Sequence, residues 1–357
     1  MNNFSRRTLF SLVIVSLLLT AISIAAASQL QLGSPPEYPE SPDQTSASSA
    51  DLETAGYLPF LVGIELKPSP WLDTQNRAAS MQFYLNDYGP ENEPMGWTGD
   101  HANCQPGTTS TAYMQAILTR INFFRTMAGI PAITGFQEEY NEKAQAAALM
   151  MSVNNRLSHS PDAGWKCYSD SGREGAGSSN LFLGRSGPSA ITGYVYDPGA
   201  NNYPVGHRRW ILYPQTQTMG VGNIPAGGGN STANALWVFD RENMWGERPE
   251  TRDGFVAWPP RGYLPYLLAF PRWSFSYPGA DFKDATMIMM KDGSSMDLTI
   301  QDVRNGYGEN TLVWEPDPNT QERPSQDVVY KVSIMDVMVK GQAVKFEYEV
   351  ILFDPTG

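Results

Sequence analysis

The chain has 357 residues, 41% of them hydrophobic, enough for two ordinary domains with real cores and too apolar for a disordered protein. Acidic residues outnumber basic ones by 37 to 25, for a net charge of −12. No basic run reverses that balance, which argues against nucleic acid or an anionic membrane surface as the partner.

At the start, Arg6 and Arg7 precede a charge-free apolar run from Leu9 to Ala27, and small residues follow at Ala25 to Ser28. Residues 1–28 read as a secretory signal peptide, with either the general or the twin-arginine export route. The alternative is a retained membrane anchor. With the signal cleaved, the mature chain is expected outside the cell and not inserted in a membrane. Residues 29–55 are rich in Ser, Pro, Glu and Asp, and read as a disordered linker. Residues 56–107 show no clean period and read as an irregular extension containing a loop histidine, His101.

The two cysteines, Cys104 and Cys167, are an even count in an oxidising compartment and suggest one disulfide; two unpaired thiols are the other reading. A helix is expected from the Thr108 to Ser110 cap, with Met114, Ile117, Leu118, Ile121 and Phe124 on one stripe. It ends at Gly129-Ile130-Pro131. A second, alanine-rich helix over about 138–157 delivers His159 at its C-terminal end, where the helix dipole favours a positive imidazole.

A Gly/Ser-rich passage, 171–180, reads as loop, and Pro188 opens a short helix that stops at Asp197-Pro198-Gly199. The stretch Gly206-His207-Arg208-Arg209-Trp210-Ile211-Leu212 reads as a strand with His207 at its edge, and Asn234 to Asp240 as a neighbouring strand. The Arg208-Arg209 pair suits either a bound anion or structural pairing. Residues 254–357 carry short alternating runs at 273–277, 286–290, 296–303, 311–314, 328–334 and 344–353. These read as an all-β immunoglobulin-like sandwich.

Four segments in order, Arg120-Ile121-Asn122-Phe123-Phe124-Arg125, Leu157-Ser158-His159-Ser160, Ser179-Asn180-Leu181 and Gly206-His207-Arg208, resemble the CAP superfamily of cysteine-rich secretory, venom-antigen and pathogenesis-related proteins. The resemblance places a CAP-like domain at 108–247 and implies an α+β fold, a three-layer α-β-α sandwich whose sheet supports an open cleft. It further implies a cleft of two histidines and two acids. His159 and His207 take the histidine positions, Ser179 stands where the family has glutamate, and Asp197 is the candidate second acid.

Two imidazoles and a carboxylate suit zinc, so His159, Asp197 and His207 are candidate metal ligands, with a fourth position for a nucleophilic water. Glu174 is a candidate substitute for the missing acid. The competing reading is hydrogen bonding without metal. Ser179 lacks the Gly-x-Ser-x-Gly setting of an activated nucleophile, and no catalytic residue is assigned. Trp165, Tyr168, Tyr194, Tyr196, Tyr203 and Trp210 cluster in sequence around the cleft, as core or as stacking faces for lipid or glycan. The expectation is a non-catalytic extracellular binding module for a small amphipathic or carbohydrate ligand. Alternatives are a metal-dependent extracellular hydrolase and an envelope or adhesion protein.

Overall fold

The computed structural model describes residues 31–36, 71–88 and 93–356. The expected signal peptide and most of the expected linker lie outside the described residues. The first half is built in chain order from β1 (Gln31–Leu32), α1 (Arg77–Asp87), α2 (Thr111–Met127), β2 (Gly135–Phe136), α3 (Glu138–Asn154), α4 (Asp170–Gly177), β3 (Ser179–Leu183), α5 (Gly187–Tyr196), α6 (Gly206–Ile211), β4 (Thr218–Ile224) and β5 (Ala233–Trp237).

Helix α2 starts where the Ser110 hydroxyl accepts the Tyr113 amide at 3.2 Å, and stops before Gly129, whose φ of +73° a β-carbon would strain. Helix α3 stops at Asn155, left-handed at φ 47°, so His159 sits in the loop beyond it rather than on its last turn. The Gly/Ser passage read as loop is α4: the Ser169 hydroxyl caps it at the Gly172 amide, 3.0 Å away, and its glycines let it lie against α3.

The five-stranded sheet runs β1-β3-β5-β4-β2, antiparallel except for the β2–β4 pair. Strand alternation sends Leu181, Leu183, Ala235 and Trp237 to one face, packed on α3, and Phe182, Val221 and Leu236 to the other, packed with α2 and α5 residues. The mixed helix and sheet content is that of an α+β fold. At Gly222 a β-carbon would overlap the backbone of Ala144, so glycine on β4 and alanine on α3 allow helix and sheet a close approach.

The second half contains β6 (Val256–Trp258), β7 (Gly262–Pro265), β8 (Trp273–Ser276), β9 (Ala280–Asp281), β10 (Thr286–Lys291), β11 (Ser294–Ser295), β12 (Asp297–Ile300), β13 (Thr311–Asp317), β14 (Val328–Val339) and β15 (Gln342–Phe353). Each of the six expected runs forms a strand. One sheet has the order β12-β13-β8-β6 and the other β11-β10-β14-β15-β7, with β9 also on β14. Strand β7 joins β15 in parallel. The inner faces meet through Trp273, Phe275, Trp314, Tyr330 and Val350, all buried.

Two further expectations are corrected. Residues 31–36, read as linker, form β1 and a buried Pro35-Pro36, because their backbone finds hydrogen-bonding partners in the first half. The extension 56–107, read as irregular, contains α1, whose start is capped by Asn76. That helix clamps the halves together: Arg77 pairs with Asp327 at 3.0 Å, and Phe83 stacks on Phe123 of α2 at 5.2 Å.

Candidate functional site

Helix α5 ends at Asp197, left-handed at φ 54°, and its fully buried carboxylate turns toward the start of α6. Its Oδ2 accepts the backbone amide of His207 at 3.0 Å, and its Oδ1 lies 2.7 Å from His207 Nδ1. A carboxylate at that nitrogen keeps a proton on Nδ1 and leaves Nε2 as the other face of the ring. Nε2 is buried with no partner among the described residues. The imidazole is held flat against Tyr194, centroids 5.6 Å apart, and the Tyr194 hydroxyl donates to the Asn234 side chain at 2.7 Å.

His207 therefore sits on a six-residue helix, not on the strand edge the sequence suggested. Trp210 and Ile211, the apolar residues behind that reading, are buried on α6. The two arginines beside His207 are structural. Arg208 donates to the carbonyls of Val195 at 2.7 Å and Arg272 at 2.8 Å, and to the Ser274 hydroxyl at 3.0 Å. Arg209 donates to the carbonyls of Arg304 at 2.7 Å and Glu309 at 2.9 Å. Burial pushes both guanidinium groups down to about 9, still protonated at neutral pH. Neither is available to an anionic ligand.

His159 lies between two backbone carbonyls. Nδ1 is 2.7 Å from Ala176 O and Nε2 is 2.6 Å from Ser34 O. Burial lowers its pKa; the two carbonyls oppose that shift, and the nearby His207 adds to it. The helix dipole expected to favour a positive imidazole does not govern this residue. A neutral ring donates to one carbonyl and a protonated ring to both.

Of the four expected cleft residues, the structure joins Asp197 to His207 directly. It sets His159 close enough for His207 to bear on its titration. Ser179 shares its strand face with Leu181 and Leu183, and its hydroxyl has no partner among the described residues. It hydrogen-bonds to neither histidine.

The three candidate ligands do not fit a metal. Both Asp197 oxygens take donors from α6 and both His159 nitrogens face carbonyls, which leaves only His207 Nε2 open. Among the described residues no group of three or more His, Cys, Asp or Glu is placed to hold an ion. Glu174 does not substitute: it bridges Lys143 at 2.9 Å and Arg241 at 2.8 Å, and the Lys143 hydrogen bond leads in holding its carboxyl below the ordinary range.

Beside the histidines opens a cavity of about 650 Å³, walled by Leu32, Leu157, Phe182 and Tyr196, with Arg156 and Arg185 on its rim. Neither arginine has a carboxylate partner among the described residues; each lies over an aromatic ring, Arg156 on Trp165 at 4.0 Å and Arg185 on Phe182 at 5.8 Å. Of the aromatics expected around the cleft, Tyr196 lines this cavity, while Trp165, Tyr194 and Trp210 are buried. Sequence reasoning passed over Ser34 to Pro36 and both rim arginines. The one local signal was Pro35-Pro36, which holds a chain extended.

Cys104 and Cys167 form a disulfide with Cα atoms 5.1 Å apart, as the cysteine count suggested. No helix among the described residues is long and apolar enough to cross a membrane. No curated protein matches the chain. The model of the CAP family, the cysteine-rich secretory protein family, matches residues 118–240, the stretch running from α2 through β5 that holds both histidines, and so supports a CAP domain in this chain.

Proposed function

We propose that this chain is an exported CAP-domain protein acting as a non-catalytic binding module, and that its cavity takes a small amphipathic ligand with an acidic head, a fatty acid or an acidic sugar. The observation that carries the reading is the cavity of about 650 Å³ in which Leu157, Phe182 and Tyr196 supply an apolar wall and Arg156 and Arg185 have no carboxylate partner among the described residues. Apolar walls with a few placed polar groups are the usual form of a small-molecule site. Guanidinium groups bind carboxylates by paired hydrogen bonds.

Export is supported by the leader-like residues 1–28, by the Cys104–Cys167 disulfide and by the CAP match. The second half is read as immunoglobulin-like. Its support is the strand order: the first two strands divide between the sheets, β6 on β8 and β7 in parallel on β15. Its role here is as a support packed on the CAP-like half. The hydrolase reading loses its metal-based argument, because the candidate ligands are committed to other partners.

Titration with a fluorescent fatty acid and with a uronic acid tests the cavity. Saturable binding by one of them, weakened at least about 10-fold in Arg156→Glu/Arg185→Glu, is the expected result, since each charge-assisted contact contributes on the order of 1.5–3 kcal/mol. Equal binding by the double variant places the ligand elsewhere and ends this reading.

A further inference from the structure

Residues 31–36 enter the histidine cleft as a peptide enters a receptor. Gln31 and Leu32 extend the sheet by pairing with Leu183 and Phe182 of β3, and the Gly33 amide continues the ladder to Leu181 O at 3.2 Å. Beyond the ladder the backbone is read by side chains. His159 Nε2 lies 2.6 Å from Ser34 O, and Trp210 Nε1 donates to Pro36 O at 2.9 Å. Pro35 and Pro36 are both buried. The floor under Pro35 is Gly206, where a β-carbon would overlap the proline ring.

We infer that the histidine cleft is a peptide-binding groove for extended segments ending in Pro-Pro, and that its resident ligand is the chain's own residues 31–36. The groove has the marks of strand addition: main-chain hydrogen bonds supply affinity, and pockets for particular side chains supply specificity. Proline suits it because a fixed φ removes freedom that binding would otherwise have to restrict. A small residue fits best before Ser34, since a β-carbon on Gly33 would lie 3.3 Å from Leu157 Cδ1 and the leucine would have to give by a few tenths of an ångström. The Ser34 side chain is on an exposed residue and is not selected. The recognised pattern is an apolar residue, a small residue, any residue, then two prolines. This groove role also gives the two histidines different tasks: His159 contacts the peptide, while His207, clasped by Asp197, fixes the helix that carries Gly206 and Trp210. It goes beyond the cavity reading: Leu32 and Leu157 border both sites, but none of these contacts uses Arg156 or Arg185, the residues on which the cavity reading is tested.

The test uses the labelled hexapeptide Gln-Leu-Gly-Ser-Pro-Pro and a chain lacking residues 31–36. The shortened chain should bind one peptide saturably, at least about 10-fold tighter than the intact chain, whose own segment competes at millimolar effective concentration. A peptide with Ala in place of its first Pro should bind at least about 10-fold more weakly. A shortened chain that melts cooperatively yet shows no saturable binding overturns the inference, as does equal binding to both chains. A parallel measurement needs no deletion: about 10 mM peptide, above the effective concentration of the tethered segment, should abolish hydrogen-exchange protection of the Gly33 amide in the intact chain. Protection unchanged at that concentration overturns it too.

Discussion

Phe124 of α2 meets Trp258 of β6 edge to face, ring centroids 5.2 Å apart, so the core of the helical half runs without interruption into the sandwich. Tyr196 stacks on Phe270 across the same junction at 5.2 Å. The two halves should therefore unfold together. Calorimetry is expected to give one transition, and Phe124→Ala should destabilise both halves by about 3–5 kcal/mol through a cavity in the shared core. Two separable transitions would show that the junction carries little coupling.

The Asp197 carboxylate satisfies three donors at the start of α6, the amides of His207 and Arg208 and the His207 ring. Asp197→Ala leaves them buried without an acceptor and should cost about 3–5 kcal/mol in urea unfolding, while Asp197→Asn, which keeps one acceptor oxygen, should cost less. A loss under about 1 kcal/mol for the alanine variant would mean that water replaces the carboxylate.

His159 predicts a pH dependence with a definite sign. Burial holds its folded-state pKa below the ordinary value of 6.5, so as the pH falls past about 6.5 the unfolded chain takes up a proton that the folded chain resists. Stability contributed by this residue is thus complete at neutral pH and declines on acidification. Between pH 7 and pH 5 the unfolding free energy of the native chain should drop more steeply than that of His159→Gln. Parallel profiles would assign the dependence to other groups.

The disulfide closes a loop between positions 63 residues apart. In the chain-entropy picture a loop of that length contributes about 4 kcal/mol. Cys104→Ser/Cys167→Ser should lower the denaturant midpoint accordingly with no change in far-ultraviolet dichroism. A loss near zero would mean that the unfolded chain is already compact around this loop.

What could be seen in the sequence was what local rules control. The Ser110 cap, the apolar stripe of α2 and the stop at Gly129 are all signalled within one segment, as are the alternating runs of the sandwich. The helix α6 was hidden because a run of Trp, Ile and Leu less than two turns long has no period that separates it from a strand. Residues 31–36 were hidden for a different reason. Their composition is that of a linker, and the groups that order them, His159 and Trp210, lie 125 and 174 residues away. In the site, His159, Asp197 and His207 were found through their resemblance to family positions. Their occupations were not, because whether a ring nitrogen faces a metal, a peptide or a carbonyl is decided by chain segments that sequence alone does not bring together.

The arginines following His207 reach past the helical half into carbonyls of Arg272, Arg304 and Glu309. Severing the chain near residue 248 would strip two buried cations of those acceptors, on the same turn of helix that shapes the floor of the groove. The sandwich is therefore a buttress of the cleft: the loops leading into β8 and β13 hold the helix on which the proposed recognition rests.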